Sequence, residues 1–420
     1  MSAVKPWLTI VGIGADGLAG LRACAREAIA AAEVLVGGSR HLAMLELAML
    51  EDGGHEHLPR ERIPWPNPFD AGIALLEARR HRRVCVLASG DPMWYGVGVK
   101  LTRHFDMAEI RVITAPGCIS LACARMGWAV ADTEVVSVHG RPLEALHPVL
   151  VPGARVLVIP HDGTTASAVA ALLCSRGLGS SQVTVLEHLD AAQGAGNGER
   201  QMSARADAFA HQETAELAVL AIEVRGRVHA PFHTRVPGLA DEAFEHDGQL
   251  TKRAVRAATL SALAPLPSQL LWDVGAGCGS VGIEWLRAVP RTRAVAVEMN
   301  AARVVLIHRN ASALGVPHLQ VRQGEAPAAL AGLPAPDAVF IGGGASDDTV
   351  FEHCWAALPD GGRMVVNAVT LEGEAALIAK QARLGGELLR LSVQSARPTG
   401  RFRTFKAARP VIQLVVEKNR

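Results

Sequence analysis

The 420-residue chain is short of several things, and each shortage excludes something. It has no excess of either charge: 42 Lys and Arg face 41 Asp and Glu, a net charge of +1. A general electrostatic attraction to nucleic acid or to an anionic membrane does not follow, and any anionic ligand must be met locally. No apolar run approaches the roughly 20 residues of a spanning helix. The opening "WLTIVGIGA" carries glycines and leads to Asp16, which suits a strand and turn better than a signal peptide.

Cysteines number seven, at 24, 85, 118, 123, 174, 278 and 354. They are odd in number and scattered, with no C-x-x-C and no histidine pair at ligand spacing, so neither a disulfide framework nor a metal site is expected. Free thiols fit a reducing cytoplasm, which is the expected location.

What is present is a recurring alternation. Apolar strand-like runs such as "LTIVGIGA", "VCVLASGD", "RVLVIP", "LAVLAIEV", "AVAVEM" and "DAVFIGGG" are separated by helical stretches throughout. This is α/β architecture twice over, with a boundary near residue 230 where prolines and a turn interrupt the pattern. The expected domains are 1–230 and 231–420. The small polar segment "QGAGNGERQMSARADAF" reads as a surface loop within the first.

The most informative stretch is "LWDVGAGCGSVGIEWL", residues 271–286, which places four glycines between a strand-like and a helix-like run. Gly275, Gly277 and Gly279 allow positive φ and close approach of a ligand to the backbone. The loop opens a helix whose first N–H groups face that ligand. The next strand ends in Glu298, about 20 residues on, where such folds place an acid against a ribose diol. An adenosine ligand is therefore expected, although a tight βα turn would by itself explain one of these glycines.

The G-x-G-x-G form resembles the first motif of class I S-adenosylmethionine (SAM) methyltransferases. The rest of the second half, "DEAFEHDGQLTKRAVRA", "QGEAPAAL", "PDAVFIGGG", "GGRMVVNAVTLE" and "RFRTFKAARPV", is similar to the precorrin methyltransferase/decarboxylase family. That resemblance implies SAM contacts from Gly275, Gly277, Gly279, Glu298, Thr251 and Ala326; Thr251 also reads as a helix N-cap. The run "RPTGRFRTFKAARP" concentrates Arg397, Arg401, Arg403, Lys406 and Arg409. It suits a polycarboxylate, and equally a solvated hairpin.

The first half carries its own glycines, Gly12, Gly14 and Gly17, but Glu33 precedes the second strand-like run instead of ending it, so a nicotinamide site is discounted. "ASGDPMWYG", "TAPGCISLACARMGW" and "SVHGRPL" together resemble the tetrapyrrole methylase family, a two-lobed class III methyltransferase fold. The resemblance implies cofactor contacts at Gly12, Gly14, Gly90, Asp91 and Ser120. Asp91 also reads as a turn residue capping the following helix. His139 and Arg141 suit a carboxylate-rich ligand and, with Asp247, are the candidates for catalysis. One departure is Ala15-Asp16 where the family has Pro-Gly, which adds a carboxylate to the loop.

The two resemblances together imply a bifunctional enzyme of cobalamin biosynthesis with two SAM sites per chain. The first domain would methylate C5 of a precorrin-6Y/6B substrate, and the second would methylate C15 and remove the ring C (C12) acetate carboxyl, giving precorrin-8. A corrinoid precursor is the expected partner, with no nucleic acid, no membrane, no metal, and assembly as a homo-oligomer. The rival reading is an RNA methyltransferase, since both folds have such relatives; its Asn/Asp-Pro-Pro-aromatic signature is absent, and "DAVFIGGG" stands in its place.

Overall fold

The computed structural model describes residues 6–51, 61–191, 198–209, 214–226 and 233–419. Two compact units result, Met1–Arg141 with Val151–Ala230, and Pro142–Leu150 with Pro231–Arg420. The expected boundary near 230 falls at 227–232, outside the described residues.

The first unit begins with β1 (Leu8–Ile13), α1 (Ala23–Ala30), β2 (Val34–Gly37), α2 (Ser39–Glu51), β3 (Glu61–Pro64), α3 (Phe69–Glu77), β4 (Val84–Ser89), α4 (Val97–His104) and β5 (Ile110–Ile113). Its five strands form a wholly parallel sheet in the order β3-β2-β4-β1-β5. The central strands are apolar along their length because helices cover both faces. After α5 (Cys118–Met126) come β6 (Glu134–Ser137), β7 (Arg155–Ile159), α6 (Thr165–Ser175), β8 (Gln182–Glu187), β9 (Arg200–Arg205) and β10 (Ala218–Glu223), which build a mixed sheet in the order β6-β7-β10-β8-β9. Strand β9 corrects the loop expected there. Its residues RQMSAR are almost all exposed, and it forms by pairing antiparallel with β8 at the sheet edge.

In the second unit, α7 (Arg253–Leu263), β11 (Leu270–Val274), α8 (Ser280–Ala288), β12 (Arg293–Glu298), α9 (Ala301–Ala313), β13 (Gln320–Gln323), β14 (Ala338–Ile341), α10 (Asp348–Ala357), β15 (Arg363–Ala368) and α11 (Leu371–Leu384) alternate. β16 (Glu387–Leu391), the hairpin of β17 (Gln394–Thr399) and β18 (Phe402–Ala407), and β19 (Val411–Glu417) follow. The sheet runs β13-β12-β11-β14-β15-β19-β16, with β19 antiparallel to both neighbours. Alternate residues feed two cores, Leu271, Ala296, Phe340 and Val365 beneath α7, α8 and α9 and Trp272, Val295, Val339 and Met364 on the other face. The order of strands reverses beside β11, the position where open α/β sheets bind ligands beyond the strand ends. Among the described residues no helix is long and apolar enough to cross a membrane.

Candidate functional site

The glycine loop leaves β11 with Gly275 at φ +70, Gly277 at +61 and Gly279 at +81, all left-handed, so each needs glycine on backbone grounds alone. At Gly275 a Cβ would stand 2.9 Å from the backbone nitrogen of Gly343, because the Gly342–Gly344 turn after β14 packs against the loop. Gly279 is the N-cap of α8, and its Cβ would meet Ile307 of α9 at 2.9 Å. Its role is to let α8 start; Gly275 and Gly277 line the cavity and Gly279 does not.

Glu298 ends β12 and is buried. Its Oε2 accepts from the Gly277 N–H at 2.8 Å and its Oε1 from the Asn300 N–H at 3.0 Å. Each carboxylate oxygen keeps capacity for one further donor, as a diol requires. Asn300 caps α9 through its side chain, and Arg303 on the first turn of that helix donates to Asp247 at 2.8 Å. That bond, followed by one from the Gln249 N–H, holds the Asp247 carboxyl below its ordinary pKa. Asp247 is thus an ion-paired anchor for the 247–251 loop, outside the cavity lining.

The cavity has a volume of about 1230 Å³ and lies wholly within the second unit. It exceeds the roughly 300–1,000 Å³ of sites for drug-sized ligands, so it has room for an adenosyl cofactor and part of a larger substrate. Thr251, Gly275, Gly277, Glu298, Ala326 and Arg397 all line it, as does Arg409. Thr251 does not cap α7: Lys252 holds the N-cap position without a side-chain bond, and Asp241 takes the Arg253 N–H at 2.9 Å.

The wall at 237–241 is fixed by a buried ion pair that sequence reasoning missed. Arg256 of α7 is fully buried and donates to Glu284 of α8 at 2.6 Å, while Glu284 also accepts from the Gly238 and Leu239 N–H groups. Arg256 further reaches the carbonyls of Leu239 and Thr251, tying both cavity segments to the helices.

Asp273, also missed, sits beneath the loop. It is wholly buried in β11, and its Oδ2 accepts from the Gly282 N–H at 2.8 Å, while Oδ1 has no partner. Burial, and secondarily the charge of Glu298, pushes its pKa up to about 7. The signal was a lone acid inside the otherwise apolar "LLWDV".

The basic run proves to be an exposed hairpin, and its register sorts the cations. Arg397 pairs with Thr404, and Ser395 with Lys406, so Arg397 and Lys406 share the face whose Ser395 and Arg397 line the cavity. Arg403, opposite Pro398, points to the other face, and Arg401 stands at the tip over the Phe402 ring, 5.1 Å from its centroid.

In the first unit the predicted residues gather at the C-terminal edge of the parallel sheet. Gly12 lets β1 approach the β4 turn, since a Cβ there would lie 2.0 Å from the Gly90 carbonyl. Gly90 has φ +55. Asp91 makes a turn by accepting from the Met93 N–H at 2.9 Å and does not cap α4, whose N-cap is Gly96. Asp91 also packs against Gly117 at the start of α5, where Ser120 lies exposed in the first turn. The carboxylate of Asp16 folds back over Gly14 and Gly20, filling space that a Cβ at either would need. Burial, then the charge of Asp190, raises its pKa.

Exposed Trp94 and Tyr95 pack edge to face after this turn, and the Arg141 guanidinium stands 5.6 Å from the Tyr95 ring centroid. His139 lies beside His161, with ring centroids 5.5 Å apart. Trp94, Tyr95 and His161 were not singled out from sequence, because only the folded chain brings 94–95, 139–141 and 161 together.

Known proteins share this organisation. Residues 7–191 match the family described as Tetrapyrrole (Corrin/Porphyrin) Methylases, and residues 242–418 match the Precorrin methyltransferase domain. A Sinorhizobium protein, "Precorrin-6Y C(5,15)-methyltransferase [decarboxylating]", is 50% identical over 410 residues, 98% of this chain and 96% of its own. Two shorter proteins of Salmonella typhimurium are also similar. "Cobalt-precorrin-7 C(5)-methyltransferase" is 37% identical over 32% of this chain and 62% of its own. "Cobalt-precorrin-6B C(15)-methyltransferase (decarboxylating)" is 33% identical over 40% of this chain and 89% of its own.

Proposed function

Because this chain belongs to the precorrin-6Y C5,15-methyltransferase (decarboxylating) family of cobalamin biosynthesis, we propose that its two units carry separate SAM sites with divided labour. The first methylates C5 of a corrinoid precursor; the second methylates C15 and removes the ring C acetate carboxyl. The division is supported by the two family matches and by the two shorter relatives, each named for one half of the chemistry. Membership over 98% of the chain sets RNA methylation aside.

The observation that carries the reading of the second site is the meeting of left-handed glycines, Glu298 and the start of α8 at one cavity. The cradle fits SAM: Gly275 and Gly277 bring bare backbone to the ligand, Glu298 offers two acceptors to the ribose diol, and Thr251 and Ala326 flank it. SAM, when bound, supplies an electrophilic methyl group. The residues need only bind, align and exclude water, since the bridging carbons of a reduced tetrapyrrole are themselves enamine-like nucleophiles. Arg397 and Arg409 meet the carboxylates of such a substrate, with Lys406 on the same hairpin face.

In the first unit Gly12, Gly14, Gly90, Asp91 and Ser120 form the cofactor side. Trp94 and Tyr95 offer the macrocycle an apolar surface, and His139 and Arg141 receive its carboxylates.

The test is Glu298→Gln. The amide would face either the Gly277 or the Asn300 N–H with a donor of its own and would lose the charge. SAM affinity at the second site should fall by roughly 1–3 kcal/mol, about five- to two-hundred-fold. C5 methylation of a substrate already methylated at C15 and decarboxylated should persist. Unchanged C15 methylation at limiting SAM would contradict the assignment.

A further inference from the structure

Among the buried residues that line the cavity of the second unit is a neutral amide, while none of its lining cations is buried. Asn367, next to last in β15, is 8% exposed and lines the cavity. The hydroxyl of Thr259 donates to the Val255 carbonyl at 2.9 Å, which leaves its oxygen to accept from Asn367 Nδ2 at 2.9 Å and Gln413 Nε2 at 3.1 Å. Gln413 gives its other Nε2 hydrogen to Asn367 Oδ1 at 2.9 Å. This chain of donors fixes the amide of Asn367: the flipped form would set its oxygen against the Thr259 oxygen and its nitrogen against that of Gln413. One Nδ2 hydrogen is left over by the network.

Nothing in the sheet asks for this polarity. Val365 and Val415 occupy the same faces of the same strands, and an apolar pair at 367 and 413 would fill the space without the cost of burying amides. Strand β15 lies two places from β11 in the sheet, about 10 Å at the usual strand spacing, on the side away from Glu298. Val411, on the same face of β19 as Gln413, lines the cavity with Asn367, whereas the cations Arg397 and Arg409 lie on or beside the hairpin.

We propose that the free Nδ2 hydrogen of Asn367 holds the acetate carboxylate that is lost as CO2, while Arg397 and Arg409 hold carboxylates that are retained. The proposal rests on assigning decarboxylation to the second unit. In this step the bond between the acetate CH2 and the carboxyl carbon breaks. Its electron pair forms a C=C bond to the ring carbon, the C=C bond which that carbon holds within the ring shifts one carbon along toward the conjugated protonated imine, and the imine π pair moves onto its nitrogen. CO2 leaves, and the resulting enamine takes a proton from water at the former CH2, becoming a methyl group and restoring the iminium. Negative charge drains from the carboxylate on the way to the transition state. A guanidinium would therefore bind the ground state more tightly than the transition state and slow the loss. A single amide N–H orients the carboxylate with far less of that penalty.

The test uses the full chain, SAM and the corrinoid substrate, with mass spectrometry of products methylated at C15 with and without loss of CO2. Asn367→Asp keeps the shape and the acceptor for Gln413, requires the Thr259 hydroxyl to turn from the Val255 carbonyl and donate to the new oxygen, and sets an anion on the cavity wall. Among products methylated at C15 by this variant, the decarboxylated share should fall roughly tenfold or more, whatever the total turnover. Asn367→Ala should lower that share less. An unchanged share, or methylation and decarboxylation falling together in both variants, overturns the proposal, as does failure of both to fold, which would mark the amide as structural. Gly275→Val separates the premise: if it spares C15 methylation, the assignment of the second site fails, whereas if only the Asn367 variants are silent, the inference alone fails.

Discussion

A carboxyl buried without a partner for one oxygen is costly unless it is neutral, and Asp273 is such a group at the hinge between β11 and the glycine loop. Its pKa is raised from 3.8 to about 7 by burial. The neutral form is the one the folded chain favours, so this stabilisation is complete below about pH 4 and is lost as pH rises through about 7. At 1.36 kcal/mol per pKa unit, full ionisation costs up to roughly 4 kcal/mol. Asp273→Asn keeps an acceptor for the Gly282 N–H and removes the titration. The urea midpoint of the second unit should then fall less between pH 5 and pH 8 in the variant than in the natural chain. Parallel pH profiles would show that Asp273 is ionised throughout. At this scale the sequence was legible where a role needs only its own neighbourhood. Gly275, Gly277 and Glu298 announce themselves by spacing alone. Asn367, Gln413 and Thr259 lie more than 40 residues from one another, and no local pattern joins them.

Among the elements, α7 and α8 matter most to the cavity, because the Arg256–Glu284 pair crosses between them and carries the 238–239 backbone. Removing Glu284 leaves the fully buried Arg256 with only Asp241, at 3.3 Å, as a counter-charge, and breaking such a buried pair costs about 3–5 kcal/mol. Glu284→Ala should therefore lower the stability of the second unit by that order and loosen the cavity wall. Urea unfolding and SAM titration are expected to fall together, and a stable variant with weakened SAM binding alone would move Glu284 from the scaffold to the site. Strand β9 shows why some elements escaped the sequence: RQMSAR has no apolar alternation, and its strand state comes from pairing with β8. The run of β17 and β18 read equally as a solvated hairpin or a binding patch, and its register puts Arg397 toward the cavity and Arg403 away. The alternation of buried strands and helices was legible because parallel sheets need apolar strands covered on both faces.

For the whole molecule the decisive quantity is the number of cofactors bound. The two glycine loops are built differently. Gly275 and Gly277 bare their backbone to a cavity, whereas Gly12 clears the way for the Gly90 carbonyl and Gly14 for the Asp16 carboxylate. Sites of such unlike construction should bind SAM with unlike affinity, so titration calorimetry of the full chain should give two sites per chain in two distinguishable phases. Gly275→Val places a branched side chain at φ +70 against the Gly343 backbone and should abolish one phase alone. Asp16→Ala unloads the first loop of a carboxylate whose pKa is raised by burial and by Asp190, and should alter only the other phase. A single phase of one site per chain, lost entirely in Gly275→Val, would leave C5 methylation without its own cofactor site and would require both methyl groups to be delivered from the second unit.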